Sequence, residues 1–139
     1  MTRATLLALA SRVEAATGAD RELDAAIDCA VRLPDLRPAQ PDDFDGKYGY
    51  SAGNIKCEHG FLMSYRYTAS LDDAMSLVPS GWNIATAAGQ NDNGTWFSEL
   101  RRGYRTSYDA VALSSLKCAT PALALTAAAI RALAQETPE

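Results

Sequence analysis

Trp82-Asn83-Ile84-Ala85-Thr86-Ala87-Ala88-Gly89-Gln90-Asn91-Asp92-Asn93-Gly94-Thr95-Trp96-Phe97-Ser98-Glu99-Leu100-Arg101-Arg102 holds two strand-like runs around a polar turn. Asn93-Gly94 is the decisive pair, because these residues reach the positive φ that a tight hairpin turn demands. A third run, 108–113, follows a connection over 103–107. The spacing predicts strands over 82–88, 95–102 and 108–113, with Trp82 and Trp96 as core anchors of the first two.

Both flanks of this meander read as helix. After it, Thr120 is an N-cap with Pro121 at the first helical position. Leu123, Ala127, Ile130 and Ala134 line one face of that helix, widened by Leu125 and Leu133. Before it, Ser70-Leu71-Asp72-Asp73 resembles a capping box, and Leu71, Ala74, Met75 and Val78 make a buried stripe that Pro79-Ser80-Gly81 ends. Further back, Leu6, Leu9, Ala10, Val13 and Ala16 share a face of a helix over 5–16, stopped by Gly18. Asp20 caps a second helix striped by Leu23, Ile27, Ala30 and Val31 and ended at Leu33-Pro34. Asp20, Glu22, Asp24 and Asp28 read as a cap and a solvated face rather than a metal cluster.

Residues 34–66 differ from both flanks. Pro34, Pro38, Pro41, Gly46, Gly49 and Gly53 interrupt every periodicity, and Asp42, Asp43 and Asp45 add charge. The expectation is a long irregular surface insertion with one strand over 60–67. Asp43-Phe44-Asp45-Gly46 has the opening of a calcium loop. It lacks the fifth-position ligand, and Asn54 stands where the closing Glu belongs.

The expected class is α+β: an alpha-beta-alpha sandwich in which a small antiparallel sheet of three to four strands packs with about four helices, in one domain over 1–139. The 139 residues include 26 alanines and 40 larger apolar residues, enough for one core and not for two. A chain of this length buries roughly 68% of its unfolded surface. The alanines concentrate in 1–30 and 119–139, predicting a close-packed helical shell around a more varied centre. An alanine-rich last helix also suits packing in a homo-oligomer.

Thirteen basic residues against 17 acidic ones give a formal charge of −4. That balance argues against nucleic acid and against an anionic membrane surface as partners. No apolar run nears the ~18 residues of a membrane span. Residues 1–11 carry an Arg and an apolar stretch, but Arg12 and Glu14 continue the same pattern, so the reading is helix and not leader. Cys29, Cys57 and Cys118 are odd in number with no CxxC, which fits a reduced cytoplasmic setting, with Cys29 and Cys118 as small buried hydrophobes. Their spacings match no zinc finger or ribbon, and neither a P-loop nor a dinucleotide fingerprint occurs, so no metal and no cofactor is expected. His59, the sole histidine, lies between Glu58 and Gly60 and reads as a turn residue rather than a general base.

Two polar-aromatic clusters carry the chemistry. One is Lys47, Tyr48, Tyr50, Lys56, Tyr65, Arg66 and Tyr67; the other is Trp96, Arg101, Arg102, Tyr104, Arg105 and Tyr108. Residues 95–117 hold four basic and two acidic side chains, against the acidic balance of the whole. Arginine with aromatics grips a phosphate and stacks a base, and the same combination is enriched at protein hot spots. The candidate ligand- or partner-binding residues are Tyr48, Tyr50, Tyr65, Arg66, Arg101, Arg102, Tyr104 and Arg105; none is assigned a catalytic role.

Four stretches also carry a resemblance: Gly18-Ala19-Asp20-Arg21-Glu22-Leu23-Asp24-Ala25-Ala26-Ile27, Tyr67-Thr68-Ala69-Ser70-Leu71-Asp72, Leu77-Val78-Pro79-Ser80-Gly81-Trp82 and Ala119-Thr120-Pro121-Ala122-Leu123-Ala124-Leu125. Together they resemble the phage ABA sandwich domain family over roughly residues 5–135. The loop over 34–66 and the meander around 103–115 look longer than that family's pattern. The resemblance implies an alpha-beta-alpha sandwich and a phage or prophage origin, and it implies no established catalytic residues. The order α-β-β-β-α also occurs in double-stranded RNA-binding domains, but Thr120-Pro121-Ala122-Leu123-Ala124 lacks the Lys that those domains place at the last helix.

The expected function is that of a non-enzymatic phage accessory protein in the host cytoplasm. It would serve counter-defence by binding a host protein or sequestering a small anionic, nucleotide-like signal. A phage housekeeping or structural-assembly interaction protein is the alternative, and a double-stranded RNA-binding-like module is the second.

Overall fold

A computed structural model describes residues 2–44, 49–104 and 107–139. The order is α1 (Arg3–Ala15), α2 (Arg21–Val31), β1 (Arg37–Pro38), a 3-10 turn (Pro41–Asp43), β2 (Asn54–Cys57), β3 (Gly60–Met63), α3 (Leu71–Met75), β4 (Trp82–Gln90), β5 (Trp96–Tyr104), β6 (Ser107–Leu113) and α4 (Pro121–Glu136). The class is α+β, with four α-helices and antiparallel sheets among the described residues. The caps lie where the sequence places them. Asp20, Ser70 and Thr120 each accept a hydrogen bond from the backbone N–H three residues on, at 3.0, 3.2 and 3.2 Å.

β4, β5 and β6 form the expected meander. Leu100 sits at its centre, paired with Ile84 on one side and Ala112 on the other. Side chains alternate along a strand, so Trp96, Ser98, Leu100 and Arg102 share the inner face of β5, and α4 covers that face. Trp82 is buried in the core and Trp96 packs against it.

The last helix departs from the expected shell. Every residue from Ala122 to Ile130 is buried. α4 packs against the meander, α1 and α3. A helix that is apolar on all sides has no solvent face to offer and goes to the interior. Alanine at five of these nine positions lets its neighbours approach closely. The one polar residue inside, Thr126, donates its hydroxyl to the Tyr67 carbonyl at 2.7 Å.

The segment 34–66 is not an irregular insertion with a single strand. It holds a sheet of its own, of order β1-β2-β3 and the first along the chain, so the described residues form two three-stranded sheets instead of one. Ile55 anchors it against Ala25, Cys29, Leu33 and Leu36 of α2 and the following turn. Strands of two to four residues are too short for periodicity to register among prolines and glycines. α3 also differs. Bonds from Leu77 N–H to Ala74 C=O and from Val78 N–H to Met75 C=O, both 3.1 Å, tighten its end to three residues per turn. Ala74 and Leu77 then face inward, while Leu71 and Met75 are exposed. Among the described residues no helix is long and apolar enough to cross a membrane.

Candidate functional site

The first sheet is positioned by two carboxylates that the sequence disguises as surface residues. Asp24 and Asp28 lie one helical turn apart on α2, and both are fully buried. Asp24 accepts from the Arg21 guanidinium, the Thr68 N–H and the Thr68 hydroxyl, each at 2.8 Å. Asp28 accepts from Arg32 Nε at 2.6 Å, the Tyr67 hydroxyl at 2.6 Å and the Tyr65 N–H at 3.1 Å. Burial pushes the Asp28 carboxyl up, but the bonds from Arg32, Tyr67 and Tyr65 outweigh it and hold the group below its ordinary value. Burial, reinforced by the Asp28 carboxylate, raises the Tyr67 phenol. The expected solvated face of α2 is therefore a clamp on residues 64–68. Arg21 extends it, donating to the Ser64 and Tyr65 carbonyls at 3.0 Å each. Its guanidinium lies where a Cβ on Gly53 would stand, 2.5 Å from Nε, and Gly53 has φ +88, so only glycine fits there.

Clamping the sheet against α2 leaves a cleft of about 390 Å³ beside it. Arg12 from the last turn of α1, Glu22 from α2, Gln40, Tyr50 and Asn54 line it, with Pro38 and Pro41 at its wall. The Tyr50 hydroxyl donates to Glu22 at 3.3 Å. Lost hydration and the Glu22 charge raise its pKa. Among the described residues Arg12 makes no ion pair. The cleft thus presents one uncommitted guanidinium, one carboxylate, a phenol ring and two amides within a single concavity.

The predicted site residues fall into separate places. Tyr50 lines the cleft. Tyr65 is exposed, with the Arg32 guanidinium 4.2 Å over its ring. Arg66 is exposed in the middle of the segment that the clamp holds. Tyr67, from the same cluster, is entirely buried and unavailable to a ligand. Arg101 and Arg102 lie on the other sheet. Arg101 is on its outer face, 2.9 Å from Glu99. Arg102 is committed to Asp109 at 2.9 Å and Glu136 at 2.7 Å, with its guanidinium 5.7 Å from the Trp82 ring. Glu136 also accepts from the Trp82 indole at 2.8 Å, so Arg102 forms part of a structural lock between β5 and α4. Tyr104 is placed in β5, and its side chain is outside the description; Tyr48 and Arg105 lie outside the described residues. The described members of the two clusters therefore lie apart, with Arg101 and Arg102 in the meander and Tyr50, Tyr65 and Arg66 in the segments flanking β2 and β3. His59 occupies the turn between β2 and β3 and is 90% exposed, as a turn histidine should be.

Sequence reasoning missed Arg12, Glu22 and Asn54. Arg12 and Glu22 look like ordinary helix-end charges, and only the packing of α1 on α2 brings them to one cleft. No protein-family model, curated protein or solved structure matches the chain.

Proposed function

We propose that the chain is a phage or prophage accessory protein of the host cytoplasm that acts by binding, and that its cleft sequesters a small anionic, nucleotide-like ligand. The observation that carries this reading is the convergence of Arg12, Glu22 and Tyr50. A guanidinium takes a phosphate, a tyrosine ring offers a stacking face, and a carboxylate accepts from amino or hydroxyl donors of a base or sugar. A nucleotide carries all three partners, whereas a simple anion would be repelled by Glu22. The resemblance to phage ABA sandwich proteins supplies the setting, and counter-defence is the role such sequestration serves.

A thermal-shift screen with nucleotides and cyclic dinucleotides tests the reading. At least one should raise the melting temperature of the wild type, and Arg12→Ala should abolish the shift. Arg102→Ala should keep it, since that side chain is committed to Asp109 and Glu136. No stabilisation of the wild type by any of these compounds would overturn it.

A second reading, capture of a host protein, rests on the outer face of the meander. Val111 and Leu113 are 47% and 45% exposed there, beside Arg101. Arginine among apolar residues is a hot-spot composition. A specific host protein should then be retained by the wild type and lost by Val111→Asp.

A further inference from the structure

A sheet exposes unpaired backbone groups along its edges, and folded proteins protect them. Among the described residues this chain has four edge strands, and three are protected in recognisable ways. β1 is two residues long and contains Pro38, which has no N–H. β4 carries two register shifts, between Ile84 and Thr86 and between Thr86 and Gly89, and bulges of this kind twist an edge away from a partner. β6 is covered by its own helices. The Gln135 amide donates to the outward Val111 carbonyl at 2.7 Å, and Glu14 accepts from the outward Ser115 N–H at 2.6 Å.

β3 is the exception. Ala39 N–H bonds the Asn54 carbonyl and Ser64 N–H bonds the Gly53 carbonyl, both at 2.9 Å. Backbone groups alternate in direction along an antiparallel strand. Leu62 and Ser64 therefore point toward β2, and the N–H and C=O groups of Phe61 and Met63 point outward. Nothing described covers them. The side chains are also exposed on both faces of the strand: Phe61, whose ring stacks on Phe44 with 4.5 Å between centroids, is 40% exposed, Leu62 47% and Met63 68%. No Lys, Pro or bulge interrupts the run.

We infer that β3 pairs antiparallel with β3 of a second copy of this chain, joining two three-stranded sheets into one of six. Charge complementarity selects this occupant. The register that sets Phe61 against Met63 of the second copy places Leu62 against its own equivalent. Pairing about Leu62 also brings the β2–β3 turn of one copy, which carries Glu58, to the end of the other copy's β3 from which Arg66 follows, and two-fold symmetry repeats the approach. Glu58 is 88% exposed in the β2–β3 turn. Arg66 is exposed, and among the described residues its guanidinium has no partner. The strand is thus apolar, with an acidic residue in the turn before it and a basic residue in the segment after it, a pattern that suits a self-complementary antiparallel edge. This inference does not depend on the ligand reading, because the cleft lies beside α2 and β1.

Sedimentation velocity over a concentration series tests it. The wild type should be a dimer. Met63→Pro removes an outward N–H and should give a monomer with an unchanged circular dichroism spectrum. Glu58→Arg and Arg66→Glu should each weaken association by about three- to tenfold, and the double reversal should restore it. Any Met63→Pro protein that fails to fold leaves the charge-reversal set to decide. A wild type that stays monomeric at every concentration overturns the inference. So does a dimer that ignores all of these changes, or one that the double reversal fails to restore. Nucleotide-induced stabilisation should persist in the charge-reversal variants, which separates this outcome from failure of the cleft.

Discussion

The meander and the first sheet are both three-stranded and antiparallel, yet different forces fasten them to the helices. The meander lies on α4 through Trp82, Leu100 and Ala112, in a core that includes nearly every large buried side chain. The first sheet has only Ile55 as a deep apolar anchor, in a cluster of five residues. Its position comes from Asp24, Asp28 and Arg21 of α2, which take up backbone and side-chain donors and acceptors of residues 64–68. Apolar burial is non-directional, whereas hydrogen bonds to buried carboxylates fix orientation. The sheet that carries both the cleft and the open edge is the one held by directional bonds.

Substitutions can break this contrast. The largest effect belongs to the apolar side: Leu100→Ala should cost about 2–5 kcal/mol, read as a lower denaturant midpoint of the whole chain. Asp28→Asn should cost less, about 1–3 kcal/mol, because it leaves buried donors of Tyr67 and Tyr65 poorly matched while the main core survives. Tyr67→Phe removes one bond to that carboxylate and should cost about 1 kcal/mol. The pH dependence sharpens the point. Asp28 has a lowered folded pKa, so its contribution is complete above the unfolded value, 3.8, and is lost as pH falls through the folded one. Tyr67 has a raised folded pKa, so its contribution is complete below the unfolded value, 10.0, and is lost as pH rises beyond it. Chemical denaturation across pH should therefore give a plateau between those limits, with Tyr67→Phe flattening its alkaline edge.

The same contrast explains what could be read in the sequence. The meander was legible because its strands run seven to nine residues around an Asn-Gly turn. The helix starts were legible because capping is local chemistry. The first sheet was not, since its strands are short and its anchors are acidic residues of a distant helix. Asp24 and Asp28 have the spacing of a solvated face, and only the approach of Tyr65, Tyr67 and Thr68, some forty residues further along the chain, makes them interior. In sequence α4 has the look of an amphipathic helix because small alanines dilute its stripe, although a helix apolar on all sides belongs inside. Of the residues that line the cleft, Tyr50 stands out in composition, while Arg12 and Glu22 meet only through the packing of α1 against α2. Sequence alone does not reveal that Asp109 and Glu136 occupy Arg102.

Native-state hydrogen exchange on Asp28→Asn tests the central claim most directly. The amides of Ile55 and Leu62, paired across β2 and β3, should lose protection, while those of Leu100 and Ile130 retain wild-type values. Equal loss at all four positions, or no loss at Ile55 and Leu62, would show that the first sheet does not depend on the buried carboxylates.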